Sequence, residues 1–309
     1  MLWHVDEMRV LITGARGFVG TRLSHRLQNS GFEPVGVDVE EMDIQELDSV
    51  THTLRKEQPE AIIHLAGISF VPAAEADPSL ACRVNFGGAR NLLDAMAQHA
   101  PKARILLVGS GEQYAASVPG APPTNESAPL DPTSVYALTK TAADLAGEEA
   151  AHRGLDVIRV RPFNHTGAGQ PDFFVAPEFA RQVAEIEQGQ REQMEVGNLE
   201  SIRDILHVDD VVDAYVRLLA PEIPIGAYNV ASGVGTRIGD LIEMLRERST
   251  ADIRVTQDPA KTGRATNARV GDATKLATAT AWRWERTISD TMTELLDYWR
   301  GALREDRGH

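Results

Sequence analysis

The chain has 309 residues, of which 31 are Lys or Arg and 45 are Asp or Glu, for a formal net charge of -14. As a whole it repels nucleic acid and anionic membrane surfaces, which sets those partners aside, and its length suits one large domain or two of ordinary size. The single cysteine, Cys82, excludes an internal disulfide and suits a reducing compartment, with a buried thiol as its expected role. There is no run of about 18 apolar residues, and the opening MLWHVDEMRV carries an acidic pair where a signal peptide is positive, so a soluble, cytoplasmic protein is expected.

Residues 9–13 form a short apolar run of the kind that makes a buried parallel strand. It leads directly into Gly14-Ala-Arg16-Gly17-Phe18-Val19-Gly20, after which Leu23 and Leu27 recur at helical spacing, with Gly31 suited to the helix end. Strand, glycines, helix is a phosphate-binding order. Gly14 permits a tight turn, Gly17 lets the backbone approach a pyrophosphate, and Gly20 lets helix and strand pack closely, with the helix N-terminus aimed at the charge. Residues 33–37 make a second strand ending at Asp38, about twenty residues after the loop, where an acid binds both ribose hydroxyls. That acid repels a 2′-phosphate and favours NAD, whereas Arg16 inside the loop argues for NADP. Asp43-Ile44 follows at a distance suited to the adenine edge.

A helix over 47–58 is stopped by Pro59, and 61–65 is a third buried strand. It ends in Leu65-Ala66-Gly67, whose small residues leave room for a cofactor, and His64 reads as a satisfied core histidine. After a loop containing Asp77-Pro78, residues 80–99 carry the apolar stripe of a helix, interrupted by Asn85, whose amide either holds a strand carbonyl or is exposed. Residues 104–108 are the fourth strand, ending in Gly109-Ser110-Gly111-Glu112. Ligands of open parallel sheets bind beyond the carboxyl ends of strands, which brings Ser110 near the glycine loop. A loop over 121–133 precedes a helix that carries Tyr136 and Lys140, four apart and so on one face. A nearby ammonium favours a phenolate and lowers a tyrosine pKa from about 10, fitting Tyr136 to exchange a proton with a sugar or alcohol oxygen. Alone, the spacing also fits a solvated helix face.

Residues 156–160 make a fifth strand, leading to Arg161-Pro-Phe-Asn164. Past Asn164 the rhythm changes to a loop (HTGAGQPDFF), helices over 175–188, 209–219, 238–248 and 288–300, short strands near 194–198, 203–208, 228–230 and 253–256, and a loop carrying Lys261, Arg264 and Arg269. The main substrate-facing region is expected here, and the final REDRGH is expected to fray.

GxxGxxG, Asp38, Ser110, Tyr136-x-x-x-Lys140, RPFN and RDILHVDD together resemble the extended short-chain dehydrogenase/reductases of the NAD-dependent epimerase/dehydratase family, which act on nucleotide sugars. More narrowly, RPFNHTGAGQ, FARQVAEIEQGQ, VGNLESIRD and DDVVDAY resemble GDP-4-keto-6-deoxy-D-mannose reductases, with GDP-mannose 4,6-dehydratases and UDP-sugar 4-epimerases as relatives. The resemblance implies an α/β fold: a doubly wound Rossmann domain of residues 1–163 plus about 201–226, and a smaller interleaved substrate domain of 164–200 plus about 227–309, in a homodimer. It implies that Tyr136 is the acid/base, that Lys140 binds the nicotinamide ribose and lowers the tyrosine's pKa, and that Ser110 hydrogen-bonds the C4 oxygen. Arg203 and Arg264 match arginines on the nucleotide diphosphate, and Asn164 would face the sugar or its phosphates. NAD, with NADP as the alternative, and a GDP-linked sugar are the ligands it implies.

In the related dehydratases the positions matching Ser110-Gly111-Glu112 carry Thr, an Asp or Ser that helps water leave C6, and a Glu that removes the C5 proton. Gly111 has no side chain to donate a proton, which disfavours dehydration and leaves hydride transfer at C4 intact. Glu112 is retained and is assigned to the catalytic set. The chain departs from the reductase pattern at Ala168 and Val135, where proline is usual, and in the alanine after Arg264. The expected activity is reduction of the C4 ketone of a GDP-4-keto-6-deoxyhexose. A 4-epimerase, a 4,6-dehydratase and a non-catalytic dinucleotide-sensing scaffold are the alternatives. Zinc-type Cys/His spacing, a G-x-S-x-G elbow and a basic aromatic patch are absent from the sequence.

Overall fold

A strand covered by helices on both faces must be apolar on both, and β1 (Arg9–Thr13) meets that demand with Val10, Leu11 and Ile12, none of which has exposed surface. In the computed structural model, which describes residues 8–258 and 266–305, it lies inside a six-stranded parallel sheet. Its neighbours are β2 (Glu33–Val37) on one side and β3 (Ala61–His64) on the other, followed by β4 (Arg104–Val108), β5 (Asp156–Pro162) and finally Gly226–Val230. Pro34 is tolerated because β2 is an edge strand. Val10 and Ile12 face one core with Leu23 and Leu27 of α1 (Phe18–Asn29). Leu11 faces the other, with α2 (Leu47–Glu57) beneath it. The direction of strand addition reverses at β1, so a crevice opens beyond the carboxyl ends of β1 and β3.

The stretch expected as one helix over 80–99 is broken. Two short proline-started helices, α3 (Val71–Ala76) and α4 (Pro78–Ala81), run into a π-helical segment, Cys82–Gly87, before α5 (Gly88–His99). The segment turns Asn85 inward and leaves Cys82 exposed, which corrects the expectation of a buried thiol. The helix α6 (Val135–His152), capped by Ser134, whose hydroxyl accepts the Ala137 N–H, packs on the π segment and β5.

After β5 the chain leaves the sheet to build a second layer. β6 (Asn164–Thr166) runs beside β8 (Ile202–His207), and β7 (Met194–Val196) pairs with a short strand, Val255–Gln257. Helix α7 (Val175–Glu187), Ile238–Arg246 and the C-terminal helix Ile288–Glu305 enclose a third core that includes Phe179, Leu241 and Leu295. Helix α8 (Val208–Leu218) returns the chain to the large sheet, where β9 (Gly226–Val230) pairs with β5. Tyr228 and Val230 of β9, with Leu276 and Trp282, belong to the first core. These residues sit with the large sheet although the expected boundary assigned 227–309 to the smaller domain, because β5 would otherwise leave a ladder of backbone groups unpaired.

Several stretches read as loops are ordered by distant partners: β6, Gly235–Arg237 on β8, and Ala268–Arg269 on the other edge of β8. The C-terminal helix continues through Arg304 and Glu305, where fraying was expected. No helix among the described residues is long and apolar enough to cross a membrane.

Candidate active site

The crevice widens into a cavity of about 880 Å³. Gly14, Gly17, Phe18, Val19 and Gly20 form one end of it. Gly14 holds φ +70°, and a Cβ on Gly20 would stand 2.3 Å from the Gly14 carbonyl oxygen, so strand and helix meet only through a residue without a side chain. Gly17 caps α1 and supplies no side-chain acceptor, which leaves first-turn N–H groups for an anion to satisfy. A close backbone cradle and an uncapped helix start fit a dinucleotide pyrophosphate. Asp38 lines the cavity at the end of β2 and accepts the Arg16 N–H at 2.8 Å. Ile44, Leu65, Ala66 and Gly67 continue the wall.

Two residues assigned to the cofactor lie off that wall. One oxygen of the Asp43 carboxylate accepts the Gln45 N–H at 2.9 Å while its own N–H donates to Ser49 Oγ, and its neighbours Ile44 and Gln45 line the cavity. The Arg16 guanidinium is held outside by Asp38, Glu40 and Glu41. Asn85 is buried and bonded: its Oδ1 accepts the Ile68 N–H at 2.7 Å, and its Nδ2 donates to the Ile68 carbonyl and to Thr139 of α6. His64 is the satisfied core histidine expected, 2.8 Å from the Thr13 hydroxyl, and burial pushes its pKa down to about 3.

At the end of β4, Gln113 accepts the Ser110 N–H through Oε1 at 2.7 Å and donates to the Lys140 carbonyl, tying this turn to α6. The Ser110 hydroxyl reaches the phenol of Tyr136, and Lys140 Nζ donates to the Val108 carbonyl at 2.9 Å. All three side chains line the cavity, as does Glu112. The expected depression of the Tyr136 pKa is corrected. Burial holds the phenol above its usual value, the Ser110 hydrogen bond opposes this, and the Glu112 charge adds to it. Lys140, itself buried, is pushed down to about 8 by loss of solvation.

The opposite wall comes from the second layer. Asn164 lines the cavity at the start of β6, and Phe70, Phe173 and Phe174 form an aromatic trio on it, with centroid separations from 4.5 to 5.7 Å. Phe163 is wedged between two glycines: a Cβ on Gly111 would lie 3.0 Å from its ring, and one on Gly271 2.4 Å away. Arg269 is buried in the wall, its Nε 3.1 Å from Glu112 Oε2 and its Nη1 donating to the Tyr114 carbonyl. Arg203 donates to the carbonyls of Ile202 and Asn267 and is not among the lining residues. Arg264 lies outside the described residues.

Residues 10–231 match the model of the NAD dependent epimerase/dehydratase family. The chain belongs to that family. It is 37% identical to a GDP-6-deoxy-D-mannose reductase of Pseudomonas aeruginosa over 96% of this chain and 99% of the relative. Among solved structures, the RMD protein of Pseudomonas aeruginosa complexed with NADPH is similar at TM-score 0.87 and 35% identity, covering 96% of this chain and 99% of that one. The UDP-glucose 4-epimerase of Thermus thermophilus in complex with NAD is similar at TM-score 0.86 and 25% identity, covering 96% and 100%. Membership fixes the cofactor class as NAD(P), and the cradle fits it.

Three features of this family member went unassigned in the sequence. Arg269 stood in a basic stretch read as a loop, and the pairing of Ala268 and Arg269 with β8 on one side and the Ala268–Ser117 bridge on the other bring it to Glu112. The Phe173-Phe174 pair was visible as a doublet, but Phe70 joins it from a segment about a hundred residues earlier. Phe163 was part of the RPFN motif, and its role as a wedge depends on Gly271, more than a hundred residues away.

Proposed function

We propose that this protein reduces the C4 ketone of a nucleotide-linked, GDP-carried 4-keto-6-deoxyhexose. The observation that carries the reading is Gly111 set against the Phe163 ring. The position from which a side chain could help water leave C6 is filled by the ring face, so the set left at the cavity serves redox at C4. When bound, the reduced nicotinamide supplies the hydride. Tyr136 supplies the proton: burial keeps its phenol protonated at neutral pH, the form needed to donate to a developing alkoxide. Ser110 shares that oxygen with Tyr136, and Lys140, charged below a pH of about 8, stabilises the negative charge formed there.

In this reading Asn164, Glu112 and Arg269 face the sugar and its phosphates, while Arg203 and Arg264 serve the nucleotide end. The chain acts as a cytoplasmic homodimer. Leu138 and Leu145, 54% and 52% exposed on the outer side of α6, support a second copy packing there.

The test is to offer a GDP-4-keto-6-deoxyhexose with NADH and with NADPH, following reduced cofactor and sugar together. One equivalent of cofactor lost per sugar reduced is expected. Interconversion of a GDP-linked 6-deoxyhexose and its C4 epimer without net cofactor loss would make it an epimerase, and no conversion of the ketone with either cofactor would overturn the proposal.

A further inference from the structure

Arg16 is the cation in the glycine loop, positioned by sequence to meet a 2′-phosphate, yet its guanidinium is already engaged. Nη1 and Nη2 both contact the Glu41 carboxylate at 3.0 Å, Nη2 also contacts Glu40, and Nε lies 3.4 Å from Asp38. Glu41 is fixed in turn: its Oε2 accepts the Asp38 N–H at 3.0 Å, and its own N–H donates to the Asp38 carbonyl. The bidentate partner of Arg16 is therefore built into the turn that ends β2. Three carboxylates around one guanidinium leave a formal charge of -2 (three negative, one positive) beside the part of the cavity that Asp38 lines.

We infer that Glu40 and Glu41 are specificity-determining residues, which by holding Arg16 away from the cavity make its ribose end select NADH over NADPH. A 2′-phosphate carries close to two negative charges at neutral pH, so it meets like charge on arrival. To bind it, Arg16 would have to leave a planar, two-point carboxylate pair for which a guanidinium is well matched. The ribose hydroxyls of NADH need only the Asp38 acceptor. Since the RMD structure similar to this chain holds NADPH, the inference marks a departure between relatives. The acids are solvent-exposed, so the preference weakens as salt screens them. The inference rests on the NAD(P) cofactor alone and is independent of which sugar is reduced.

The test is binding of NADH and NADPH to the full chain, followed by nicotinamide fluorescence with no sugar present, at low and high ionic strength. The unsubstituted protein is expected to bind NADH about tenfold more tightly at low salt, a modest electrostatic preference. In a Glu40→Gln/Glu41→Gln variant the ratio should fall to within about threefold, through tighter NADPH binding. Adding Arg16→Ala to that variant should weaken NADPH again and leave NADH unchanged. Thermal unfolding checks that each variant is folded. Equal or tighter NADPH binding by the unsubstituted protein, an unchanged ratio in the double variant, or binding of neither dinucleotide would overturn the inference. Failure to reduce any sugar would leave these affinities as they are, and so separates this inference from the proposed reaction.

Discussion

The sheet-side wall of the cavity and the wall built after Asn164 are assembled by different means. On the sheet side, the glycine loop, Asp38 and Ser110 follow directly on strand ends that the parallel register of β1 to β4 brings together, and α6, packed beside them, supplies Tyr136 and Lys140. On the other side, Arg269 reaches Glu112 because Ala268 and Arg269 pair with β8 while Ala268 also bridges to Ser117, and Phe163 packs against a glycine more than a hundred residues away. The first wall is rigid because a buried sheet holds it. The second depends on many small long-range contacts, and it is where relatives with one cofactor site can differ in substrate. Changes on the sheet side should therefore act on chemistry and cofactor, and changes on the other side on the sugar alone.

The largest expected effect comes from the sheet side. Tyr136→Phe removes the proton donor and should lower turnover about a thousandfold, within the range of general acid catalysis, while dinucleotide affinity is retained. Steady-state kinetics beside fluorescence binding would separate the two. Gly20→Ala comes next: its Cβ would meet the Gly14 carbonyl at 2.3 Å and Ala15 Cα at 2.7 Å, so backbone must shift. A loss of about 2–3 kcal/mol in urea denaturation is expected, with weakened binding of both dinucleotides.

On the second wall, Arg269→Met should raise the sugar KM about tenfold and leave dinucleotide affinity unchanged. If cofactor binding fell equally, the two walls would not be separable. A further effect concerns pH and leaves chemistry and substrate aside. His64 is neutral when folded, with its pKa near 3 against 6.5 for an ordinary histidine, so between those values the unfolded chain takes up a proton that the folded one refuses. Stability present above pH 6.5 is lost as pH falls toward 3, at about 1.4 kcal/mol per unit at most. His64→Asn should flatten that slope in denaturation measured between mildly acidic and neutral pH.

The same contrast explains what the sequence disclosed. The glycine loop, Asp38, Ser110 and the Tyr136–Lys140 spacing are local signals, and the sheet brings all of them to one cavity. The electrostatics of Tyr136 were not legible, because they depend on burial and on Glu112 more than on the lysine four residues away. The turn that engages Asp43 Oδ1 with the Gln45 N–H is a local detail that spacing does not encode. Arg269 and Phe70 were invisible as site residues because nothing near them in sequence says which strand or ring they will meet.

Transfer of deuterium tests the central claim most directly. With a GDP-4-keto-6-deoxyhexose and nicotinamide dinucleotide deuterated at the transferring position, the protein should form a product carrying one deuterium at C4 and release oxidised cofactor in equal amount. A product free of deuterium, or a ketone left unreduced with the cofactor still reduced, would contradict it.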